Sequence, residues 1–346
     1  MGTTNVENGK AFEFACLIEL ENLVYNNNGN PVIIIDKRYS DARAAFDRQP
    51  KSSIQNMRLA ARAGMQYIMG CEPRLRFGHG LPVRLSLQED KKGQDGDVRD
   101  VLCVRAELGW EIGISCKHNH EAVKHSRLSP TIDFGNIWLS SPCSPEYFRT
   151  INPIFDELAE LQAKGALWRD IPEKSARIYK PVLQAFVNEI KHIDDQNPNL
   201  VAPNLVRYLL GRRSFYKVMS HDRERTTSIQ AFDFEQNLNQ TGTDDQNRLV
   251  KPQLHTKSVS LPKRMLSIGF RQGSNSTIEI QCEDGWVLSF RIHNASSFVE
   301  PSLKFDVQLE ASPIRAQPVV LPWGKWSDLS TTSSCNETML LTAAER

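Results

Sequence analysis

The chain has 346 residues, of which 40% are hydrophobic and 24% are charged, and its formal net charge is +1. This composition is typical of a soluble globular protein of about two domains, and it excludes one that binds partners through a strongly basic or acidic overall charge. The sequence has no secretory leader pattern and no run of about 18 apolar residues, which predicts a cytoplasmic protein without a membrane span. The seven cysteines are odd in number and form no Cys-x-x-Cys pair, which favours free thiols over disulfides or a zinc site.

The first half of the sequence alternates between helical and strand patterns. An apolar helix begins at Gly9 and ends at the Asn-rich break 27–30, with Glu19 as a polar exception on its apolar side. The further predicted elements are strands at 31–36 and 81–87, and helices at 40–47, 53–69, 119–127, 144–164 and 173–193. Two of these helices contain a proline, and the first is expected to bend or restart near Pro153.

The second half is mostly β in character. A linker is expected at 194–203, followed by a short helix that ends at Gly211. The predicted strands are 215–219, 228–234, 265–270, 277–281, 286–293, 303–309 and 319–321, with a long polar loop at 236–260. The sequence therefore predicts a mixed α/β front and a β-rich rear.

The hairpin around residues 98–118 carries the side chains best suited to chemistry. Acidic residues crowd the turn before a strand that opens at Asp100, and the returning strand ends on Lys117. With a two-residue turn at 108–109, Asp100 lies opposite Lys117 and Leu102 lies opposite Ser115. Because alternate residues share a face, Asp100, Ser115 and Lys117 point the same way. A longer turn would shift this pairing.

This cluster has the residue types that metal-dependent phosphodiester hydrolysis needs. A carboxylate such as Asp100 holds Mg²⁺ against a phosphate oxygen, and a lysine such as Lys117 orients the attacking water or stabilises developing charge. The alternative is a solvated turn followed by a structural strand, because Asp-Gly and Gly-Asp pairs are common in turns. One aspartate and one lysine at this spacing do not decide between the two.

Longer stretches of the sequence resemble a known family. They are DGDVRD at 95–100, WEIGISCKHNH at 110–120, AVKHSRLS at 122–129, TIDFG at 131–135, FRIHNASS at 290–297 and VEPSLKFD at 299–306. From residue 9 to about residue 309 the chain resembles the HaeIII type of type II restriction endonucleases. The resemblance implies cleavage of double-stranded DNA at GGCC with Mg²⁺ and a cognate DNA methyltransferase. It also implies the α/β PD-(D/E)xK core, a central mixed β-sheet flanked by helices.

The broad PD-(D/E)xK class has an aspartate followed by an acid two residues before a lysine. The resemblance places Asp100 first and Lys117 last, whereas Ser115 stands at the acidic position. A further carboxylate is therefore expected from elsewhere: Glu13 in the first helix, Asp97 in the turn or, ranked last, Glu111, which shares the face of Lys117 but lies six residues from it. The predicted catalytic residues are Asp100, Lys117, Ser115 and Asp97, and the predicted metal ligands are Asp100, Glu13 and Asp97.

Basic and polar side chains at three places are predicted to contact DNA. They are His118, His120, Lys124, His125 and Arg127; Arg212, Arg213 and Lys217; and Arg291, His293, Asn294 and Lys304. Arginine and lysine donate to phosphates and to guanine, whereas an acid such as Asp306 accepts from cytosine. The alternatives are a solvated helix face, a cationic helix end at 212–213, and ordinary exposed strand residues.

The residues and the resemblance together predict a site-specific endonuclease. Residues 1–200 would form the nuclease core, 201–326 a β-rich recognition region and 327–346 a flexible tail. A palindromic site favours a two-fold homodimer, although a monomer that cuts the strands in turn is also compatible. The rival functions are a resolvase or repair nuclease with the same core, and an inactive DNA-binding protein, which Ser115 would explain.

Overall fold

The computed structural model describes residues 5–88, 97–119, 124–256 and 259–324. Its α-helices are α1 (Asn5–Asn26), α2 (Lys37–Asp47), α3 (Lys51–Cys71), α4 (Pro145–Ala163), α5 (Lys180–Gln196) and α6 (Val201–Leu210). Its strands are β1 (Pro31–Ile33), β2 (Val83–Leu87), β3 (Val101–Arg105), β4 (Trp110–His118), β5 (Lys124–Leu128), β6 (Phe215–His221), β7 (Thr226–Phe232), β8 (Gly242–Thr243), β9 (Leu249–Val250), β10 (Met265–Phe270), β11 (Thr277–Cys282), β12 (Val287–His293), β13 (Leu303–Ala311) and β14 (Val319–Pro322).

Contacts divide these elements into two units, each assembled from separate stretches of sequence. The first unit contains the described residues of 1–120, 212–260 and 315–346, and the second contains those of 121–211 and 261–314. The consecutive blocks 1–200 and 201–326 expected from the sequence therefore differ from the structural units. The reason is that β6, β7 and β14, which follow residue 200, complete the sheet that β1 to β4 begin.

The first unit is built on a seven-stranded mixed sheet in the order β1-β2-β3-β4-β6-β7-β14. The pairs β1–β2 and β4–β6 are parallel, and the other pairs are antiparallel. Helix α1 contacts β2, β3 and β4, while α3 contacts β6 and β7, and α2 packs on α1. The mixed α/β architecture expected from the sequence is confirmed at this level.

Two polar groups in the helices of the first unit have clear partners. Glu19, the polar exception in α1, is fully buried and accepts from Arg58 Nε at 2.6 Å, with Arg62 Nη1 at 3.5 Å. Helix α2 begins at Lys37, three residues before the start expected from the sequence, because the Asp36 carboxylate caps it by accepting from the Tyr39 backbone N–H at 2.8 Å. An aspartate at this position stabilises a helix because its carboxylate accepts from a backbone N–H of the first turn, which has no partner within the helix.

The second unit is built on a five-stranded antiparallel sheet in the order β10-β11-β12-β13-β5. Alternate residues of its strands are buried, and their aromatic rings pack with rings from the helical segments. Phe186 of α5 lies 5.6 Å from Phe290 and 5.1 Å from Phe305, measured between ring centroids. The apolar face of this sheet therefore faces the core, and the polar residues that alternate with the buried ones along the strands lie on the other face.

Two sequence predictions in the second unit are wrong. The expected helix at 119–127 is replaced from Lys124 by strand β5, which pairs with β13 and buries Leu128 completely. The expected linker at 194–203 shrinks to 197–200, because α5 continues to Gln196 and α6 begins at Val201. Pro153 lies inside α4 without interrupting it.

Other expectations concern the cysteines, the membrane and the tail. The six cysteines that the structure describes are buried free thiols. Within the described ranges, no helix has the length and apolarity that crossing a bilayer requires. The tail predicted at 327–346 and the side chain of His120 lie outside the described residues.

Candidate active site

The hairpin that carries Asp100 and Lys117 is confirmed, but its register differs from the expected one. Its turn spans 106–109 and closes on Gly109 in the left-handed region, with φ 57°. Because this turn is two residues longer than expected, Leu102 pairs with Gly113 instead of Ser115. The Asp100 backbone N–H donates to the Ile114 carbonyl at 2.8 Å, so Asp100 lies beside Ser115 and not beside Lys117. A shift of two residues preserves the shared face.

Asp100 is the point at which the polar groups of β4 converge. Its Oδ2 accepts from the Cys116 backbone N–H at 2.7 Å, from Lys117 Nζ at 3.0 Å and from Ser115 Oγ at 3.3 Å. Within the described residues its Oδ1 receives no hydrogen bond, so one carboxylate oxygen is held in place and the other is available. Asp100, Ser115 and Lys117 are thus brought together as predicted.

The Lys117 side chain is held as a cation. Burial lowers the pKa of its ammonium, but the Asp100 carboxylate, through its charge and its hydrogen bond, and the more distant Glu13 outweigh this effect and raise the pKa above its ordinary value. Lys117 therefore stays protonated at neutral pH. In this state it can donate to a phosphate oxygen or to a water, but it cannot accept a proton.

Glu13 lies in the buried part of α1, near the catalytic hairpin. Its carboxylate accepts from Arg38 Nη2 at 2.7 Å, and its charge contributes to the raised pKa of Lys117. The residue is only 8% exposed. Its burial rules out a solvated surface glutamate, and the assignment of Glu13 as a metal ligand stays a prediction.

Asp97 and Glu111 are both bound to Arg99. The guanidinium donates from Nη2 to Asp97 Oδ2 at 2.7 Å and from Nη1 to Glu111 Oε1 at 2.6 Å. Burial raises the pKa of Asp97, but the hydrogen bonds and charge of Arg99 outweigh it and leave that pKa below the ordinary value. Arg99 crosses the strand directly over Gly113, where a Cβ atom would lie 2.0 Å from Arg99 Cδ. Asp97 is therefore tied into an ion-pair network, and it is a weaker metal-ligand candidate than Asp100.

The oxygen donors at the hairpin fit a magnesium ion. Mg²⁺ prefers hard oxygen ligands and keeps several water or phosphate oxygens in its shell, so one or two protein donors suffice. Asp100 Oδ1 is such a donor. No group of three or more histidine, cysteine, aspartate and glutamate residues forms a ready-made metal cage in the described parts of the chain. The site is consistent with a metal that is shared with substrate.

A second lysine lies on the same face of the sheet. Lys217 of β6 pairs in parallel with Ser115, so its side chain leaves the sheet on the side of Ser115 and Asp100. It is only 8% exposed. Of the three residues predicted after the linker, Arg212 is exposed and Arg213 binds Glu235 at 3.2 Å. The sequence predicts Lys217 only as a DNA contact, and its position beside the hairpin of Asp100 follows from the pairing of β4 with β6.

His118, the residue after Lys117, lies on the opposite face of β4. Its ring centroid lies 5.9 Å from that of Phe12, and its Nε2 lies 3.2 Å from Asp222 Oδ2. Burial raises the pKa of Asp222, but the hydrogen bond and charge of His118 outweigh it and lower that pKa. No local sequence pattern predicts Asp222 as the partner of His118, because the two residues are 104 positions apart in the chain.

The remaining predicted DNA contacts belong to the second unit. Arg291 is exposed on β12, and it pairs across the strands with Asp306. His293 Nε2 lies 2.8 Å from Asp306 Oδ2, and Lys304 Nζ lies 3.9 Å from the other oxygen. Arg127 binds Glu300 at 3.2 Å. The Asn294 side chain accepts a hydrogen bond from the Tyr179 hydroxyl and donates one to the Ser296 carbonyl. The side chains of Lys124 and His125 are outside the part of the structure that is described.

Sequence comparisons agree with these features. The sequence model of the HaeIII restriction endonuclease family matches residues 9–313. The chain belongs to the HaeIII restriction endonuclease family. A relative, the type II restriction enzyme HaeIII of Haemophilus aegyptius, is 38% identical over 330 residues, which cover 93% of this chain and 99% of that enzyme. No solved structure matches the chain.

Membership in the HaeIII restriction endonuclease family confirms the predicted activity class. The chain is a site-specific restriction endonuclease, that is, a deoxyribonuclease of a restriction-modification system. This finding favours the predicted function over a structure-specific repair nuclease and over an inactive DNA-binding protein. The hairpin with Asp100 and Lys117 is the part of the described structure best suited to that hydrolysis.

Proposed function

We propose that the protein makes Mg²⁺-dependent double-strand cuts in DNA at a short palindromic site, GGCC, from a PD-(D/E)xK core. The observation that carries this proposal is the contact of 3.0 Å between Lys117 Nζ and Asp100 Oδ2 at one end of a mixed sheet. Helices α1 and α3 pack on this sheet, as the proposed core requires. The name of the HaeIII relative supports the enzyme class, and GGCC follows from the resemblance.

Asp100 and Lys117 have complementary roles in this proposal. Asp100 binds the divalent cation through Oδ1, while its Oδ2 stays fixed by β4. When bound, Mg²⁺ neutralises charge on the phosphate and makes a bound water more acidic. Lys117, kept protonated, donates to the scissile phosphate or orients the attacking water. Ser115 positions Asp100 in place of the usual second acid, and Glu13 sets the electrostatic environment of Lys117.

Recognition of the bases is assigned to the polar side of the sheet in the second unit. Arg291 is exposed there and has the donors that guanine O6 and N7 accept. Asp306 is an acceptor for cytosine N4, and His293 and Lys304 hold its carboxylate in place. The proposed division of labour follows the structural units and not the sequence blocks: the first cleaves, and the second reads.

The partners of the enzyme follow from this function. A palindromic site is cut by a two-fold homodimer, or by a monomer that cuts each strand in turn. A nuclease of this kind needs a DNA methyltransferase of the same specificity, and it acts in the cytoplasm, where the DNA is.

The test is digestion of a plasmid of known sequence by wild type, Asp100→Asn and Lys117→Met, with and without Mg²⁺. Wild type should give discrete fragments that end at GGCC. Each variant should lose at least about a hundredfold in cleavage rate, as expected when a group that stabilises charge is removed. The exposed Asp41→Asn is the matched control and should cut normally. Fragments that end elsewhere would refute the GGCC assignment, and full activity of Asp100→Asn would refute the site.

A further inference from the structure

Gln88 carries a buried amide next to the hairpin of Asp100. It follows the last residue of β2 and is only 6% exposed. Within the described residues, neither Nε2 nor Oε1 of its side chain makes a hydrogen bond of normal geometry. The amide lies close enough to Asp97 to help lower the pKa of that carboxyl, but it has no bond of normal geometry. An unpaired buried amide is rare, because it costs about 1–3 kcal/mol.

The position of this amide connects it with Asp100. The Gln88 backbone N–H donates to the Asp100 carbonyl at 2.9 Å, so the two residues lie side by side on adjacent strands. Leu87 and Val101 pair next to them, and both are buried in the core beneath the sheet. Because side chains alternate along a strand, Gln88 and Asp100 leave the sheet on the opposite side. The unpaired amide therefore lies on the face where Asp100 meets Ser115 and Lys117.

The same row of the sheet contains a natural comparison. Gln88, Asp100, Ser115, Lys217 and Gln230 lie side by side on five neighbouring strands. Gln230, at the far end, is as buried as Gln88, but its Nε2 donates to the Ala316 carbonyl at 2.9 Å. Burial at this row therefore does not itself leave an amide unpaired. This difference in hydrogen bonding between the two glutamines points to a ligand that contacts Gln88 and does not contact Gln230.

The proposed cation site at Asp100 lies on the same face of the sheet as the Gln88 amide, in the neighbouring position of the row. Asp100 Oδ2 is occupied by three donors from β4, whereas Oδ1 is available. The other hairpin carboxylates, Asp97 and Glu111, are bound to Arg99. Amide oxygens are hard donors of the type that Mg²⁺ and Ca²⁺ accept.

We propose that Gln88 Oε1 is an oxygen ligand of the divalent cation held by Asp100, and that it supplies the donor missing at Ser115. The inference rests on the proposed function, because it requires the cation site at Asp100. It assigns a metal-binding role to a third strand, β2, beside the hairpin. It also gives the buried amide the partner that it lacks in the protein alone.

The test measures Mn²⁺ binding to the full-length protein by isothermal titration calorimetry, without DNA. Gln88→Leu keeps the shape of the side chain and removes its polar atoms. It should weaken Mn²⁺ binding by about tenfold or more, as loss of a metal-site group commonly does. Gln88→Glu should restore or strengthen binding through its added charge. Gln230→Ala, the matched buried glutamine, should bind Mn²⁺ as wild type does.

A second readout is thermal stability, which separates a ligand from a structural residue. Because Gln88→Leu removes an unpaired buried amide, its melting temperature without metal should equal or exceed that of wild type. Weaker Mn²⁺ binding in such a stable variant then cannot be attributed to misfolding. The Mg²⁺ concentration for half-maximal cleavage should rise in the same variant, and that measurement also serves if Mn²⁺ binding without DNA is too weak to titrate.

The possible outcomes keep the two proposals apart. If Asp100→Asn abolishes Mn²⁺ binding and raises the Mg²⁺ requirement, but Gln88→Leu changes neither, the Gln88 assignment fails and the cleavage site stands. If Asp100→Asn also leaves both quantities unchanged, the cation lies elsewhere and both proposals fail. If both variants weaken binding and the Gln230 variant does not, the Gln88 assignment is supported.

Discussion

Two buried glutamates, Glu19 and Glu72, differ in whether a positive charge lies next to the carboxylate. Glu19 is neutralised by Arg58 and Arg62, so its charge is matched inside the fold. Glu72 is fully buried beside Tyr216, whose hydroxyl donates to Oε1 at 2.6 Å, and among the residues that the structure describes its Oε2 has no hydrogen-bond partner. Burial raises the pKa of Glu72 to about 7, against the smaller lowering by Tyr216. Glu19 is thus held by two arginines, whereas burial makes Glu72 favour the protonated acid.

Glu72 therefore makes stability depend on pH. Its folded pKa is about 7 and its ordinary value is 4.5, so its contribution is fully present below pH 4.5 and is lost as the pH rises through 7. Glu72→Gln mimics the protonated acid, and relative to this variant wild type should lose up to about 3 kcal/mol between pH 4.5 and 8. Urea unfolding at several pH values measures this difference. The exposed Glu146→Gln should show no such trend, and a constant difference for Glu72→Gln would contradict the assignment.

The sequence brings together the principal residues of the proposed site, but it does not reveal the neighbours that depend on distant strand pairing. Asp100 and Lys117 were predictable because they lie in one hairpin, where local alternation places them on one face. Gln88 and Lys217 lie on other strands, and only the complete sheet brings them into the row of Asp100. Asp97 illustrates the reverse error, since local spacing could not reveal that Arg99 binds its carboxylate.

At the scale of the element, β4 depends on a glycine that has no role in a turn. Arg99 crosses over Gly113 to reach Asp97 and Glu111, and a methyl group there would overlap its side chain. Gly113 is therefore a close-approach position within a strand. The network that it permits stands between the hairpin turn and the cleavage residues.

Gly113→Ala should displace Arg99 and destabilise the protein by about 1–3 kcal/mol, the usual cost of overpacking. Urea unfolding of wild type and variant measures this loss. Gly269 lies inside β10, where an added Cβ would meet nothing within 4 Å, so Gly269→Ala is the matched strand control. Equal stabilities of the two variants would show that Arg99 can be relocated without cost.

Helices and strands with a clear alternation of apolar and polar residues can be predicted from the sequence. Their exact ends and the pairing of the strands are harder to predict. Helix α3 and strands β10 to β13 lie where the patterns placed them, because each has one buried and one polar side. The hairpin register was shifted by two residues, because no sequence rule fixed the turn at 106–109. The local pattern predicts a helix where β5 lies, because the pairing of β5 with β13 joins residues about 180 positions apart and has no local sequence signal.

At the scale of the whole molecule, the two units are interleaved along the chain. The first unit receives β6, β7 and β14 only after the chain has passed through much of the second. A cut at residue 200 therefore separates β1 to β4 from three of the seven strands in their sheet. Neither sequence block contains a complete hydrophobic core.

A fragment of residues 1–200 should consequently fail to fold as an independent nuclease. It would leave the long edge of β4 unpaired, with its apolar side chains exposed. We expect no cooperative urea transition in its far-UV circular dichroism and no cleavage of plasmid DNA, whereas the full chain shows both. A single sharp transition accompanied by cleavage would show that the core is complete without β6.

The parallel pairing of β4 with β6 also sets when the enzyme becomes active during its synthesis. Ser115 and Lys217 are direct neighbours in the sheet, yet the ribosome joins them to the chain far apart in time. From Lys117 to Phe232, the end of β7, synthesis at about 5–20 residues per second takes roughly 6 to 23 s. During that interval the hairpin exists without the strands that hold it in place. With the active site proposed at Asp100 and Lys117, the nascent chain should be unable to cut DNA until β6 and β7 have paired with β4.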